Sequence, residues 1–320
     1  FSSRRRHTRS TYHTMETCVT FTWMQLCNRL LQMTGNSLYA DYMETAIYNA
    51  LMASLKADAS QIAKYSPLEG WRHEGEEQCG MHINCCNANG PRAFAMIPQF
   101  AYQVQDDCVR VNFYAPSEAE LVLPGKKPVR LKQTTDYPRT DQIEIEVDPA
   151  KETAFTIALR IPAWSKIAVV SVNGQPQDGV LQGAYLPVNR KWKKGDRITV
   201  KLDLRARLVE RNQAQAIVRG PIVLARDSRF GDGFVDEASV VVSKDGYVAL
   251  TPVKAPGFAW LAFTAPMVLG TDLESNRAPK QIHFCDFASA GNTWDKTQRY
   301  RVWLPKTLNV MHSPYRPYNQ

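Results

Sequence analysis

The N-terminal third of the chain carries apolar residues at the spacing of amphipathic helices. Between residues 17 and 33 an apolar position recurs every three or four residues, at Val19, Trp23, Leu26, Leu30 and Met33. A second stripe runs over residues 39–55, after the stop signal Gly35-Asn36. A third helix is predicted from about Gly90 to Gln103, opened by Asn89-Gly90-Pro91, because proline suits the first helical turn. This part of the chain is therefore predicted to form antiparallel helical hairpins.

From about Cys108 the apolar period falls to two, as expected for strands with one buried face. Turn signals such as Asn173-Gly174 and Asp245-Gly246 separate the segments. The predicted strands fall at residues 109–113, 121–123, 129–132, 143–147, 155–161, 169–172, 198–204, 216–218, 222–225, 259–263 and 299–304. Short strands without intervening helices are typical of a sandwich or jelly roll.

The predicted fold class is therefore mixed, helical first and β afterwards. Residues 1–107 form the helical unit, residues 108–225 a β-sandwich, and residues 226–320 further strands or a second sandwich. A long connection is expected between Val268 and Trp294. A chain of 320 residues is long enough for two or three such units.

Composition and charge limit the kinds of partner that this chain is expected to bind. The chain is 44% hydrophobic and 22% charged, which is ordinary for a globular protein, and no apolar run approaches the roughly 18 residues of a membrane helix. The net charge is +8, but removing the four arginines among the first ten residues leaves +4. This basic opening is interpreted as a disordered or vector-derived leader. Without a helix-turn-helix or a phosphate-binding loop, neither nucleic acid nor a membrane is expected as a partner.

Two short segments hold most of the reactive side chains, namely Glu16-Thr17-Cys18 and residues 78–86. The second ends in Cys85-Cys86, and neighbouring cysteines seldom bridge to each other, so metal or thiol chemistry fits better than a disulfide. Three thiolates and a carboxylate match a tetrahedral zinc site. Glu16 and Cys18 would diverge by about 200° within a regular helix. They converge on one ion only where the chain enters the helix.

Other interpretations of these residues stay open from the sequence alone. Each cysteine taken singly is more often a small buried hydrophobic residue, and Cys27, Cys108 and Cys285 are assigned to that class. Three polar residues of one loop are candidates for binding sugar hydroxyls, although the loop equally fits a solvated connection: His73, Gln78 and His82.

The chain resembles glycoside hydrolase family 127 over residues 12 to about 225, and beyond that only at residues 301–303. The matching stretches are Tyr12 with Glu16-Thr17-Cys18, residues 35–41 with 44–49, Pro67-Leu68-Glu69, Cys85-Cys86 followed by Asn89, residues 159–164, Val172-Asn173-Gly174, Trp192 with Gly195-Asp196, and Arg219-Gly220-Pro221. The resemblance implies that the helices are the C-terminal part of an (α/α)6 catalytic barrel, followed by one or two β-sandwich domains.

The same resemblance implies a zinc cofactor and a reaction. The zinc ligands would be Glu16, Cys18, Cys85 and Cys86. Cys85 would be a zinc-bound thiolate nucleophile that forms a thioglycosyl intermediate, and the reaction would retain the configuration of the sugar. Characterised members include β-L-arabinofuranosidases. The expected function is therefore an exo-glycoside hydrolase that releases a β-L-arabinofuranosyl or related pectic sugar from an arabinose-containing or pectic oligosaccharide. The implied setting is a polysaccharide-degrading bacterium, in a periplasmic, secreted or cytoplasmic location.

Two departures from the family pattern qualify this expectation. The family's acid/base glutamate lies upstream of the Glu-Thr-Cys motif, and no carboxylate occurs before Glu16, so this chain by itself is expected to be inactive or nearly so. Residues 78–84 differ from the shorter approach to the cysteine pair in the arabinofuranosidases. That difference favours a branch that acts on an acidic or branched sugar, whose carboxylate His82 would suit.

Two competing hypotheses use the same residues differently. One is a non-catalytic carbohydrate-binding β-sandwich with structural cysteines, in which sugars stack on Trp164, Tyr185, Trp192, Trp260 and Trp294. The other is a purely structural zinc module, whose four ligands close the site and leave its thiolates unreactive.

Overall fold

The computed structural model describes residues 16–75, 77, 80, 82–270 and 278–307. Gln78, Tyr12 and the basic opening lie outside this range, so the predictions made for them stay predictions. The described chain is mostly β, and all of its helices except one short 3-10 helix lie within residues 17–101. The helices are α1 (Thr17–Thr34), α2 (Leu38–Ala46), a π-helix (Ile47–Leu51), α3 (Cys85–Ala101) and a short 3-10 helix (Ser228–Phe230).

Helix α1 confirms the first predicted helix, but its packing face was predicted wrongly. Gly35 ends the helix in the left-handed conformation, at φ 66°, and donates its N–H to the carbonyl of Leu31. Helix α1 buries Phe21, Met24, Cys27 and Leu31, whereas the predicted stripe includes Val19, Trp23, Leu26 and Met33, whose exposure ranges from 41% to 81%. The helix is apolar on two faces, and periodicity alone does not tell which face packs inward.

Helix α3 begins five residues before the predicted start, and this correction matters for the site. Asn84 caps the helix, since its side chain accepts the N–H of Cys86 while the side chain of Asn87 accepts the N–H of Asn84. Pro91 therefore lies inside the helix rather than in its first turn. The consequence is that Cys85 and Cys86 are the first two residues of a helix.

The strands are short and follow one another with few interruptions. In chain order they are β1 (Glu69–Gly70), β2 (Tyr102–Gln105), β3 (Cys108–Val111), β4 (Ser117–Leu123), β5 (Lys127–Thr135), β6 (Gln142–Pro149), β7 (Thr153–Ile161), β8 (Ala168–Val172), β9 (Gln175–Pro176), β10 (Ala184–Trp192), β11 (Asp196–Leu202), β12 (Ala206–Arg211), β13 (Ala214–Arg219), β14 (Ile222–Asp227), β15 (Ser239–Val241), β16 (Tyr247–Val248), β17 (Thr251–Pro252), β18 (Ala262–Leu269), β19 (Lys280–Asp286), β20 (Tyr300–Arg301) and β21 (Leu304–Pro305).

Two sheets of this set share one buried core. A four-stranded sheet has the order β10-β7-β3-β2, with β3 parallel to β7, and a six-stranded antiparallel sheet has the order β4-β5-β6-β11-β8-β9. Alternate residues of both sheets meet in a core that includes Val111, Ile145, Leu159, Trp192 and Val200. Strand β10 lies within a stretch for which the sequence predicted no strand.

The remaining strands form an eleven-stranded sheet with a core of its own. Its main path is β15-β18-β19-β14-β13-β12-β16, and its core includes Ile217, Leu224, Met267 and Phe284. Strand β19 lies inside the long connection that was predicted between Val268 and Trp294, so that prediction was wrong in part. In the described residues, no helix is long and apolar enough to cross a membrane.

The π-helix joins the helices to this large sheet through one side chain. The Asn49 amide donates to the carbonyls of Thr45 and Pro221, each at 2.8 Å, and its oxygen accepts the N–H of Val223 at 2.8 Å. A π-helical turn widens the helix, and here the amide inserted at that turn satisfies the backbone on both sides. The helical hairpin is thereby fixed to the start of β14.

Candidate metal centre

Two helix N-termini bring three thiols and one carboxylate to a single point. Glu16 is the N-cap residue of α1, with extended backbone angles of φ −71° and ψ 133°, and Cys18 lies in the first turn. Cys85 and Cys86 open α3. The ligand atoms of these four residues all lie within 4.8 Å of one another. The extended conformation of Glu16 is the irregular helix start that the sequence argument required.

The distances fit a tetrahedral metal after a small adjustment. Cys18 Sγ lies 2.9 Å from Cys85 Sγ and 3.2 Å from Cys86 Sγ, and Cys85 Sγ lies 3.8 Å from Glu16 Oε1. Thiolates bound at roughly 2.3 Å in a tetrahedron are roughly 3.8 Å apart. The thiols would therefore need to separate by about 1 Å or less, which side-chain rotation supplies. The four residues could hold a metal ion.

A backbone segment beneath the cluster fixes both helix ends. The Lys64 carbonyl accepts the N–H of Thr17 at 2.9 Å, and Cys86 Sγ lies 3.6 Å from the same oxygen. The Lys64 N–H donates to the carbonyl of Glu74 at 2.8 Å, and Asn84 Nδ2 donates to that carbonyl at 3.3 Å. One extended segment thus holds the starts of α1 and α3 in register, which is why residues nearly seventy positions apart meet.

The thiols differ in exposure and in acidity. Cys85 is exposed, Cys18 is half-buried and Cys86 is buried. The hydrogen bond with Cys18, together with burial, raises the pKa of Cys85, and burial raises the pKa of Cys86 well above its ordinary range. Neutral thiols are therefore favoured in the absence of a cation, and metal binding would have to displace their protons. Cys85 is the most exposed of the three cysteine residues.

The predicted sugar-binding residues of the loop before α3 do not contact this cluster among the described residues. His73 Nδ1 accepts the N–H of Gly75 at 3.1 Å. His82 is exposed, has a positive φ of 55°, and its Nδ1 lies 3.0 Å from Glu77 Oε2. Gln78 falls outside the described range. Their role in binding stays a prediction.

Most aromatic residues of the competing sugar-binding hypothesis pack against other side chains. Trp164 and Trp192 are buried in the shared core, and the Tyr185 hydroxyl donates to Asn112 Oδ1. The Trp260 ring stacks on Tyr48, with Arg139 5.9 Å from its centroid, and Lys56 lies 5.7 Å from the Trp294 centroid. The buried rings of Trp164 and Trp192 offer no stacking surface to a sugar, whereas Trp260 is 37% exposed, so the hypothesis stays a prediction for the other residues. Of the three cysteines assigned to packing, Cys27 and Cys285 are buried as predicted, whereas Cys108 is only half-buried.

Two contributors to the site were not assigned a role from the sequence. Asn89 Nδ2 donates to Cys18 Sγ at 3.3 Å, and its position one turn after the cysteine pair was a readable signal. The Lys64 carbonyl is a backbone group, so no side-chain pattern identifies it.

The structure thus combines helices that converge on three cysteines and one glutamate, which could hold a metal ion, with the β-sheets that follow them along the chain. The family models match both parts of this arrangement. The model for the catalytic domain of GH127 β-L-arabinofuranosidases matches residues 1–99, and the model for the GH127 middle domain matches residues 108–204. The chain belongs to glycoside hydrolase family 127.

Individual relatives show the same likeness. A non-reducing end β-L-arabinofuranosidase of Bifidobacterium longum subsp. longum is 26% identical over 235 residues, which cover 65% of this chain and 34% of the relative. A GH127 β-L-arabinofuranosidase from Geobacillus stearothermophilus T6 has a similar structure, with a TM-score of 0.76 and 22% identity over 91% of this chain. Another GH127 β-arabinofuranosidase superimposes with a TM-score of 0.77 and 24% identity over 92% of this chain. This chain spans 50% of each solved relative and 34% of the curated one.

Proposed function

We propose that the whole protein is a retaining glycoside hydrolase that releases a β-L-arabinofuranosyl or related pectic sugar, with Cys85 as nucleophile. The observation that carries the proposal is the convergence of Glu16, Cys18, Cys85 and Cys86, in which Cys85 is the most exposed of the three cysteine residues. The named activity of the Bifidobacterium relative supports arabinofuranose as the sugar. The substrate would be an arabinose-containing or pectic oligosaccharide.

The metal that these four residues would hold is zinc. Three sulfur donors and one carboxylate are a soft, four-coordinate set, which zinc prefers over magnesium or calcium. Bound zinc would keep the sulfurs deprotonated near neutral pH. That contribution is needed here because hydrogen bonding and burial otherwise raise the pKa values of Cys85 and Cys86.

The reaction then follows the geometry of a retaining mechanism. The Cys85 sulfur donates an electron pair to the anomeric carbon as the bond from that carbon to the leaving-group oxygen breaks. A carboxylic acid protonates the departing oxygen, and the same group later activates the water that cleaves the carbon–sulfur bond. Two inversions at one carbon give overall retention. Glu16 is assigned as a metal ligand in this proposal, so the acid/base group is a different carboxylate.

The fold that we propose for the whole protein is an (α/α)6 barrel followed by β-sandwich domains. The exposed apolar residues of α1, Val19, Trp23 and Leu26, are what a barrel helix presents to neighbouring helices. The core shared by the four- and six-stranded sheets extends from Val109 to Leu204 and supports a sandwich over that stretch. Strands β12, β13 and β14 belong to the large sheet, whose separate core supports a further unit that begins near residue 206 rather than at 226.

The test is hydrolysis of 4-nitrophenyl β-L-arabinofuranoside by the protein expressed from its whole reading frame. We expect release of nitrophenol, with the β-anomer of arabinose appearing first in the proton NMR spectrum. Cys85→Ser should abolish turnover, while Cys108→Ser, at the half-buried start of β3, serves as the matched control. Metal content measured on both variants separates loss of the nucleophile from loss of the ion. Turnover by Cys85→Ser, or first release of the α-anomer, would contradict the proposal.

A further inference from the structure

Cys18 accepts a hydrogen bond from the side chain of Asn89. Asn89 Nδ2 lies 3.3 Å from Cys18 Sγ. Asn89 lies about one turn after Cys85 and Cys86 on α3, whereas Cys18 belongs to α1, so the bond links the two helices that form the site. The amide donates and the sulfur accepts.

The orientation of this amide follows from its other neighbour. Arg92 NH1 donates to Asn89 Oδ1 at 3.2 Å. An arginine has donors and no acceptor, so Asn89 must turn its oxygen toward Arg92 and its NH2 group toward Cys18. The Arg92 guanidinium lies 5.1 Å from the ring centroid of Phe21 on α1, which holds it in place. The donor aimed at Cys18 is thereby fixed from both helices.

A hydrogen-bond donor at this position would stabilise negative charge that a bound divalent ion leaves unbalanced. Three thiolates and one carboxylate carry four negative charges, and a divalent cation balances two of them. An N–H group beside a thiolate stabilises the excess charge and lowers the energy of the sulfur lone pair, which also makes that sulfur a weaker nucleophile. The helix N-termini add positive partial charge at the same point.

We propose that Asn89 is a positioning residue of the metal site, whose side-chain amide holds Cys18 as an unreactive thiolate ligand and so leaves the reaction to Cys85. This inference rests on the proposed function, because it presupposes that the cluster binds metal. It concerns the division of roles among the sulfurs, which the ligand set alone does not determine.

Cobalt(II) titration of the full-length protein tests the inference without an activity assay. Asn89→Leu removes the donor at similar volume, and we expect about 10- to 100-fold weaker metal binding together with a shift of the sulfur-to-cobalt charge-transfer band to lower energy. Asn89→Gln keeps an amide and should recover part of both losses. Asn28→Leu, at a half-buried position of α1, is the matched control and should change neither.

Far-UV circular dichroism of the metal-free variants separates a folding defect from a site defect. Should Asn89→Leu fail to fold, Asn89→Asp keeps the acceptor for Arg92 while replacing the donor, and it should weaken metal binding and shift the band in the same direction. Unchanged affinity and an unshifted band in the folded variants would overturn the role of Asn89 alone. Failure of the unmodified protein to bind cobalt or zinc would overturn the proposed metal site and this inference with it.

Discussion

A buried arginine between α2 and β7 offers a direct test of what holds the helices to the sheets. Arg160 is fully buried, and its guanidinium donates to Asp41 Oδ1 at 2.5 Å, to Glu44 Oε1 at 2.6 Å and to the carbonyl of Asn112 at 2.5 Å. Burial by itself lowers the pKa of Arg160, but the charges of Glu44 and Asp41 raise it well above its ordinary range. The arginine is therefore charged and fully paired.

Arg160→Met should destabilise the protein severely. The substitution keeps an apolar side chain of useful length but leaves two carboxylates buried without their cation, and breaking such a buried pair costs about 3–5 kcal/mol. The remaining donors are uncharged and do not neutralise the carboxylates: the hydroxyl of Tyr137 and the indole N–H of Trp164 donate to Glu44, and the N–H of Ala163 donates to Asp41. Since total stabilities are about 5–15 kcal/mol, the loss is a large fraction of the whole.

Urea unfolding followed by tryptophan fluorescence measures this loss. Arg130→Met is the control, because Arg130 also contacts two carboxylates, Asp148 and Glu118, but its own side chain is 41% exposed, so water screens these ion pairs more than those of Arg160. Adding Glu44→Gln to Arg160→Met should recover part of the loss by removing one unpaired charge. A loss for Arg160→Met no larger than that of Arg130→Met would refute the reasoning.

Three further outcomes are expected. Asn84→Ala should cost about 0.5–2 kcal/mol of stability through the lost cap of α3 and weaken zinc binding in a competition assay. Asn84→Asp keeps the capping oxygen but loses the donor to the Glu74 carbonyl, so it should recover only part of this stability. Gly90→Ala should lower the melting temperature, because the added Cβ would lie 2.7 Å from a methyl carbon of Ile62. Combining it with Ile62→Val should recover part of the lost melting temperature. An unchanged melting temperature for Gly90→Ala would contradict this prediction. The hydrogen bonds from Arg205 lower the pKa of Asp203. Ionised Asp203 therefore stabilises the folded protein at pH values above the ordinary carboxyl pKa, and this stabilisation is lost as the pH falls through the lowered pKa. Asp203→Asn should therefore be less stable near neutral pH and converge with the unmodified protein in acid, and parallel pH curves would contradict this.

The helices show what the sequence could and could not predict. The end of α1 was predictable because Gly35 adopts the left-handed conformation that few other residues tolerate. Its buried face was not, since α1 is apolar both at Phe21 and Met24 and at Val19 and Trp23, and the choice between the faces depends on tertiary neighbours.

The start of α3 was mispredicted because the proline signal was given more weight than the capping signal. Pro91 suggested a first turn, while Asn84 and Asn87, which form the actual capping box, stand at the correct spacing in the sequence. Strand β10 was missed for a related reason, because Pro187 and the charged Arg190 and Lys191 interrupt its alternation.

The sequence could indicate which residues form the candidate site, but not how the fold brings them together. Residue types suggested a soft metal site, and the family resemblance implied which residues would form it. The structure brings these four residues together: Glu16, Cys18, Cys85 and Cys86. Their meeting depends on the Lys64 carbonyl, which holds the start of α1 and contacts Cys86. Backbone hydrogen bonds between distant segments carry no signature in a single sequence.

The most direct test of the central claim is to identify the residue that becomes glycosylated during turnover. The full-length protein would be mixed with 2,4-dinitrophenyl β-L-arabinofuranoside, quenched in acid within milliseconds and digested for peptide mass spectrometry. The account predicts a pentosyl increment on the peptide that contains Cys85, localised to its sulfur and absent in Cys85→Ser. A pentosyl increment on a carboxylate, or product release with an inverted anomer and no adduct, would contradict it.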